Sequence, residues 1–207
     1  MELLPAPIAN WFATRGWQPR AHQLAVLEAA ASGAHVLLVA PTGSGKTLAG
    51  FLPVLADAVR APGRPGLKAI YVSPLKALAA DIARNLSRPI AAMGLSLSVE
   101  SRTGDTPAEA KRRQRSDPPD ILLTTPESLS LLLSWPEAPR LLAGLDSLIV
   151  DEIHALAPGK RGDLLALALA RLQALNPALR RTGLSATVGD PQALAGWLAP
   201  GGAAHDV

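Results

Sequence analysis

Short apolar runs alternate along the chain with longer stretches patterned as helices. Residues 35–40 (HVLLVA), 69–73 (AIYVS), 96–101 (SLSVES), 121–125 (ILLTT), 147–150 (SLIV) and 182–185 (TGLS) predict strands. Several are apolar throughout, which predicts burial on both faces and hence a parallel sheet. Residues 20–31, 46–59, 75–86, 107–115, 126–133, 163–175 and 191–198 predict the helices between them. Strand, helix, strand in this rhythm implies right-handed crossovers and an α/β layered domain. Segments 61–66 (APGRPG) and 135–140 (WPEAPR) read as turns. Residues 200–207 (PGGAAHDV) read as the start of a linker or as a strand cut short, so the domain is expected over 1–200 with a linker from 201.

At 207 residues the chain suits one domain. Hydrophobic residues make up 48% and charged ones 18%, enough apolar content for a packed core and too little charge for a disordered chain. Cysteine is absent, which excludes disulfides, thiolate metal sites and cysteine nucleophiles and fits a reducing compartment. The net charge of +3 permits nucleic-acid binding without requiring it. No run approaches the roughly 18 apolar residues of a membrane helix, so no membrane partner is expected. The first residues, MELLPAPIANW, lack the basic start of a secretory signal. A soluble, intracellular protein is the expectation.

The chemistry starts at residues 40–47, APTGSGKT, directly after an apolar strand and directly before a helix. The pattern is close to the phosphate-binding loop G-x-x-x-x-G-K-[ST], with Ala40 in place of the first glycine. Thr42, Gly43, Ser44 and Gly45 form the loop, where glycine lets backbone N–H groups turn inward around phosphates. Lys46 brings a point charge to the β- and γ-phosphates, Thr47 a hydroxyl for Mg²⁺, and the helix start its positive dipole end. Asp151-Glu152-Ile153-His154 follows the strand at 147–150, and a carboxylate at the end of a parallel strand faces the ligand crevice. Asp151 suits Mg²⁺; Glu152 suits the orientation and deprotonation of an attacking water. With a P-loop upstream, the pair points to an NTP hydrolase that uses Glu152, Asp151 and Lys46, with ATP and Mg²⁺ as cofactors.

His154 in the fourth place of D-E-x-H resembles the DExH type of superfamily-two helicases. Ser185-Ala186-Thr187 resembles that family's third motif, so His154, Ser185 and Thr187 are implied to couple nucleotide state to nucleic acid. Gln23, within 16–23 (GWQPRAHQ), resembles the family's adenine-reading glutamine. An amide both donates and accepts, as adenine N6 and N7 require, and Trp17 is expected near the base. Without that resemblance, Gln23 reads as an exposed residue in a helix's first turn. Residues 73–78 (SPLKAL), 102–106 (RTGDT) and 124–129 (TTPESL) each follow a strand and resemble the family's nucleic-acid contacts, which singles out Pro74, Lys76, Thr103, Gly104, Thr125 and Pro126. They also read as helix starts: Thr124 with Glu127 as a capping box, Pro126 in the first turn, and Thr106 with Glu109 as a second box. The two readings are compatible, because a helix start offers free N–H groups to phosphate. The basic run 111–115 (KRRQR) lies at a helix C-terminus and reads as a solvated face; 159–162 (GKRG), closer in sequence to the acids, is the better electrostatic candidate.

The glutamine motif, APTGSGKT, SPLKAL, RTGDT, TTPESL, DEIH and SAT follow in family order across residues 11–187. Residues 71–83 (YVSPLKALAADIA), 99–107 (VESRTGDTP), 119–129 (PDILLTTPESL) and 183–187 (GLSAT) bring the match closer to the Lhr-type (large helicase-related) DExH helicases, and among them to the bacterial ligase-associated branch. The resemblance implies a RecA-like P-loop domain: the N-terminal ATP-binding motor of an ATP-dependent DNA helicase. It further implies movement 3′ to 5′ along single-stranded DNA, a role in DNA repair, and a place at the nucleoid in the bacterial cytoplasm. DNA–RNA hybrid is a further implied substrate, and an RNA helicase domain stands as the alternative. Motifs IV to VI, with their arginine fingers, and the C-terminal domains of such helicases have no counterpart after Thr187. The chain is therefore expected to be the first motor domain alone, without the second RecA-like domain. Since an arginine finger contributes about 10³–10⁵ in rate, little hydrolysis is expected from it by itself. A P-loop phosphotransferase and an ATP-sensing module stay open as rivals, and neither needs the ordered helicase motifs.

Overall fold

The structure, a computed structural model, describes residues 3–186, 188–200 and 204–206. Two helices, α1 (Ala6–Ala13) and α2 (Ala21–Ala31), precede β1 (His35–Val39) and α3 (Lys46–Arg60). Then come β2 (Ala69–Val72), α4 (Lys76–Ala92), β3 (Val99–Arg102), α5 (Ala108–Ser116), β4 (Ile121–Thr124), α6 (Pro126–Leu133) and α7 (Ala138–Leu142). The remainder is β5 (Ser147–Val150), α8 (Ile153–Leu156), α9 (Lys160–Leu175), β6 (Arg180–Ser185), α10 (Pro191–Leu198) and β7 (Ala204–Asp206). The strands make one seven-stranded sheet in the order β3-β4-β2-β5-β6-β1-β7, and every pairing is parallel.

The wholly apolar strands are explained by alternation. Successive side chains of a strand point to opposite faces. Ala69, Tyr71, Ile121, Leu123 and Ile149 join a core with Val26, Leu27, Phe51, Leu55 and Leu86 of α2, α3 and α4. Ile70, Val72, Leu122, Leu148 and Val150 join the opposite core with Leu129, Leu132, Leu165, Leu169 and Leu198 of α6, α9 and α10. Each buried leucine contributes about 1.5–3 kcal/mol by leaving water, so both helical layers are held by the same short strands. The edge strand β3 differs: its Glu100 pairs with Arg113 of α5 at 2.5 Å, and such an edge resists pairing with another chain.

Every expected strand is present, with two displaced starts. The strand expected at 96 begins at Val99, because Ser98 donates its N–H and its hydroxyl to the Asp120 side chain instead. The strand expected at 182 begins at Arg180, since two arginines there have protein partners. Arg180 reaches Asp57 at 2.5 Å. Arg181 donates to Leu198 O at 2.6 Å, Leu169 O at 2.9 Å and Gln173 Oε1 at 2.9 Å, joining β6 to α9 and α10. At the other end of the chain, α1 arises where no helix was expected, burying Ile8, Trp11 and Phe12 at helical spacing. The turn expected at 135–140 contains the start of α7, with Pro139 in its first turn. Residues 204–206, within the segment read as a linker start or a strand cut short, pair with the start of β1.

Both expected capping boxes are corrected. The cap of α6 is Thr125, whose Oγ1 accepts from Ser128 N at 3.4 Å, while Thr124 Oγ1 donates across to Arg102 O at 2.7 Å. At α5 the N-cap position is Pro107, with no side-chain cap, and Thr106 Oγ1 accepts from Thr103 N at 2.9 Å. In each case a neighbouring strand or loop competes for the threonine hydroxyl.

Candidate functional site

Because all strands run the same way, the segments that follow them leave the sheet at one edge, where open α/β sheets bind ligands. The strand order divides that edge. After β5, β6 and β1 come Asp151–His154, Ala186 and the APTGSGKT loop; after β3, β4 and β2 come RTGDT, TTPESL and SPLKAL. The candidate nucleotide residues thus gather on one half and the candidate nucleic-acid segments on the other.

In the loop, Gly43 and Gly45 adopt φ of 78° and 84°. Gly45 requires glycine for its dihedral, and a Cβ there would stand 2.9 Å from Gln23 Nε2, so the amide of Gln23 would have to shift. Lys46 is buried, and its Nζ donates to Ala40 O at 2.6 Å and to Pro41 O at 3.0 Å. The ammonium therefore lies over its own loop. Ser44 Oγ is buried without a hydrogen-bond partner, while Arg20 Nη1 donates to Ser44 O at 2.9 Å. Thr42 is exposed at the loop, and half-buried Thr47 starts the helix beside Lys46.

Asp151 is buried at the end of β5. Its Oδ2 accepts from the hydroxyl of Tyr71, on the adjacent strand β2, and its Oδ1 accepts from Glu152 N at 2.9 Å. Burial pushes the Asp151 carboxyl above its ordinary value, against the pull of those two hydrogen bonds. Burial and the neighbouring carboxylate push the Tyr71 hydroxyl far up as well, so it stays protonated and donates. Glu152 has φ 48° and ψ 42°, the sole non-glycine residue with positive φ among the described residues. That conformation costs of order 1–3 kcal/mol and is held at sites where side-chain direction matters. Glu152 Oε2 lies 3.4 Å from His154 Nε2, and His154 Nδ1 lies 3.1 Å from Ser185 Oγ. Thr187 lies outside the described residues.

Gln23 is buried, unlike the exposed first-turn residue that sequence alone suggests. Its Oε1 accepts from Arg20 N at 2.9 Å and its Nε2 donates to Gly45 O at 3.4 Å. One N–H and one lone pair remain for a further partner. Trp17 is exposed, edge-on to Trp11 with ring centroids 5.7 Å apart.

On the other half, Lys76 is exposed and pairs with Asp105 at 2.8 Å, linking SPLKAL to RTGDT. A Cβ on Gly104 would meet Lys76 Nζ at 3.1 Å. The hydroxyls of Thr103 and Thr125 are spent on their own turns, accepting from Asp105 N at 3.3 Å and Ser128 N at 3.4 Å. Pro126 is buried and Pro74 half-buried beside exposed Leu75. The basic run is more than a solvated face: Lys111 Nζ donates to Gly104 O at 2.9 Å, and Arg115 stacks 3.7 Å from the centre of the Trp135 ring. Arg161, in the segment GKRG, does not stand free as a cation; it donates to Glu127 and to Pro74 O.

The sequence model of the DEAD/DEAH box helicase family matches residues 20–194. The chain belongs to that family. It is similar to the Lhr helicase/uracil glycosylase of Escherichia coli, 42% identical over 208 residues that cover 91% of this chain and 14% of that protein. It is also similar to the ATP-dependent helicase Lhr-Core of Methanothermobacter thermautotrophicus, 46% identical over 169 residues, 75% of this chain and 20% of that protein. Among solved structures, Mycobacterium smegmatis helicase Lhr bound to single-stranded DNA and AMP-PNP matches with a TM-score of 0.90 and 40% identity, covering 99% of this chain and 27% of that one. Helicase MrfA bound to DNA and AMPPNP matches with a TM-score of 0.87 and 27% identity, covering 100% of this chain and 29% of that one. The chain therefore spans less than a third of each of these relatives.

Its fold is that of the RecA-like helicase domains. Among the described residues, no helix is long and apolar enough to cross a membrane. Within this helicase domain, the sequence singled out residues 40–47 and Asp151–Glu152 as candidates but not the groups that support them. Tyr71, the chain's single tyrosine, had a signal: a hydroxyl inside a wholly buried strand needs a partner. Arg20 and Arg161 carried no sequence signal for the carbonyl and carboxylate groups they grip.

Proposed function

We propose that the chain is the first RecA-like motor domain of an ATP-dependent helicase acting on DNA. The observation that carries this reading is the divided sheet edge, with the P-loop and DEIH on one half and three nucleic-acid-type loops on the other. The DNA-bound relatives favour DNA over RNA. The chain's small share of its relatives supports a second motor domain that supplies the facing half of the cleft.

The residues fit ATP with Mg²⁺. Ser44 Oγ is an orphaned hydroxyl in a loop whose glycines hold positive φ, beside a buried lysine. When bound, ATP supplies the phosphoanhydride whose hydrolysis drives movement. Lys46 would exchange the carbonyls of Ala40 and Pro41 for phosphate oxygens, a stronger charge-assisted contact. The N–H groups of residues 43–47 would cradle the phosphates at the start of α3. Thr47 and Asp151 would hold Mg²⁺, and Glu152 would take the proton of the attacking water. Gln23 would read adenine with its remaining N–H and lone pair while bracing the loop through Gly45. His154, Ser185 and Thr187 would carry nucleotide state from the acids toward β6. Pro74, Lys76, Thr103, Gly104, Thr125 and Pro126 would follow the nucleic-acid backbone through loop and helix-start groups.

Movement 3′ to 5′, a role in DNA repair and a place at the bacterial nucleoid belong to the same proposal through the resemblance to Lhr-type helicases. The experiment is ATP turnover by the full-length protein, titrated with matched DNA and RNA oligomers. Stimulation by DNA at lower concentration than RNA is the expected result; equal or RNA-selective stimulation favours the RNA reading. Duplexes with a 3′ or a 5′ tail then test direction.

A further inference from the structure

Arg161, the second residue of α9, joins two segments that the sheet edge keeps separate in sequence. Its Nε donates to Glu127 Oε1 at 2.7 Å and its Nη2 to Glu127 Oε2 at 3.3 Å, a two-point grip on one carboxylate. The same Nη2 donates to Pro74 O at 3.0 Å. Glu127 stands in the first turn of α6, within TTPESL, and Pro74 stands in SPLKAL after β2.

The other end of the connection is the acid site. Glu152 is the N-cap of α8, Ala157 its C-cap, and α9 starts at Lys160. That turn is tightly built: a Cβ on Gly162 would fall 2.0 Å from Ala157 O, so the chain between the two helices closes around a glycine. Gly162 N donates to Gly159 O at 2.9 Å in the same turn. Arg161 therefore follows, across one tight turn, the short helix α8 that Glu152 caps.

We propose that Arg161 is a positioning residue that sets the SPLKAL and TTPESL loops against each other and ties both to the helix that follows DEIH. This rests on the reading of the chain as a nucleic-acid motor. The pair is about half exposed, with side chains 46% and 52% accessible, so it adds little stability. Its geometry is what matters. A lysine cannot reproduce it, because one ammonium lacks the planar fork that meets a carboxylate and a carbonyl together. With its charge paired to Glu127, Arg161 acts through the loops and does not itself serve as a free phosphate contact.

The test uses the full-length protein, a fluorescent oligo-dT strand, and the variants Arg161→Lys, Glu127→Gln and their double. Read-outs are strand affinity by anisotropy, the strand concentration for half-maximal ATPase stimulation, and thermal melting to show that each variant folds. Each single variant is expected to weaken both strand read-outs by about two- to thirtyfold, the span of a coupling through a packed network, and the double no further than the worse single. If Arg161 instead touches phosphate directly, Glu127→Gln removes a negative charge and tightens binding, while Arg161→Lys keeps most of it; that pattern overturns the proposal. Unchanged read-outs in both singles overturn it as well. A wild-type protein that neither binds the strand nor responds to it defeats the motor reading itself, an outcome distinct from both.

Discussion

Ser185 Oγ lies 3.1 Å from His154 Nδ1, and the far nitrogen of the same ring lies 3.4 Å from Glu152 Oε2. One imidazole thus spans from the end of β6 to the acid after β5. If Nε2 carries the proton toward the carboxylate, Nδ1 is left to accept from the serine hydroxyl. A shift of β6 relative to β5 would be felt at Glu152 through two contacts.

Removing that ring is expected to separate hydrolysis from work. In the full-length protein, His154→Ala should keep ATP binding but lose more duplex unwinding than DNA-stimulated ATPase. Parallel ATPase and strand-displacement assays check this. Equal losses in both would assign His154 to hydrolysis alone.

Lys46→Ala is expected to weaken nucleotide binding about ten- to hundredfold, the worth of hydrogen bonds to a charged group. The fold should survive, because Lys46 Nζ bonds to carbonyls of its own loop, Ala40 O and Pro41 O, and does not join two separate elements through them. Fluorescent ATP titration beside thermal melting checks both halves.

Tyr71→Phe is expected to cost about 1–3 kcal/mol, since it leaves buried Asp151 short of a donor. The ring stacks on Phe51 at 5.4 Å between centroids, so phenylalanine retains the packing and isolates the hydroxyl. Denaturant melts give the stability, and ATPase as a function of Mg²⁺ should show a raised requirement.

Sequence and structure agree most where a side-chain pattern has one solution. The run Ala69–Val72 is apolar because a central parallel strand feeds two cores, one through each face. APTGSGKT is legible because a tight turn before a helix with glycine, lysine and threonine is rarely anything else. Thr124 and Thr125 were harder: adjacent threonines can both cap, and only the presence of Arg102 O on β3 decides that the first bonds across the sheet. Arg180 and Arg181 hid the start of β6 for the same reason, since charged residues enter a sheet once distant partners exist. The link from Arg161 to Pro74 crosses 87 residues, a separation at which local pattern carries no information.

Asp120 ties the starts of β2, β3 and β4 by accepting from Lys68, from Ser98 N at 2.7 Å and from Ser98 Oγ at 2.8 Å. Burial alone would raise its carboxyl, but these hydrogen bonds outweigh it and hold the group below its ordinary value. A lowered folded value means that its contribution is whole above the unfolded value of about 4 and is lost as pH falls through the folded one. Melting temperature should therefore drop on acidification below that value. In Asp120→Asn it should start lower at neutral pH and fall less steeply. Parallel curves for the two proteins would remove Asp120 from the acid response.

The central claim is that DEIH and the P-loop form the hydrolytic half of a DNA-driven motor. The most direct measurement is steady-state ATP turnover by the full-length protein, with and without single-stranded DNA, for wild type and Glu152→Gln. The account predicts DNA-stimulated turnover in wild type. It predicts that Glu152→Gln still binds ATP yet loses about 10²–10⁴ in rate, because the amide fills the space and cannot take the proton of water. Turnover indifferent to DNA, or a Glu152→Gln rate near that of wild type, would contradict it.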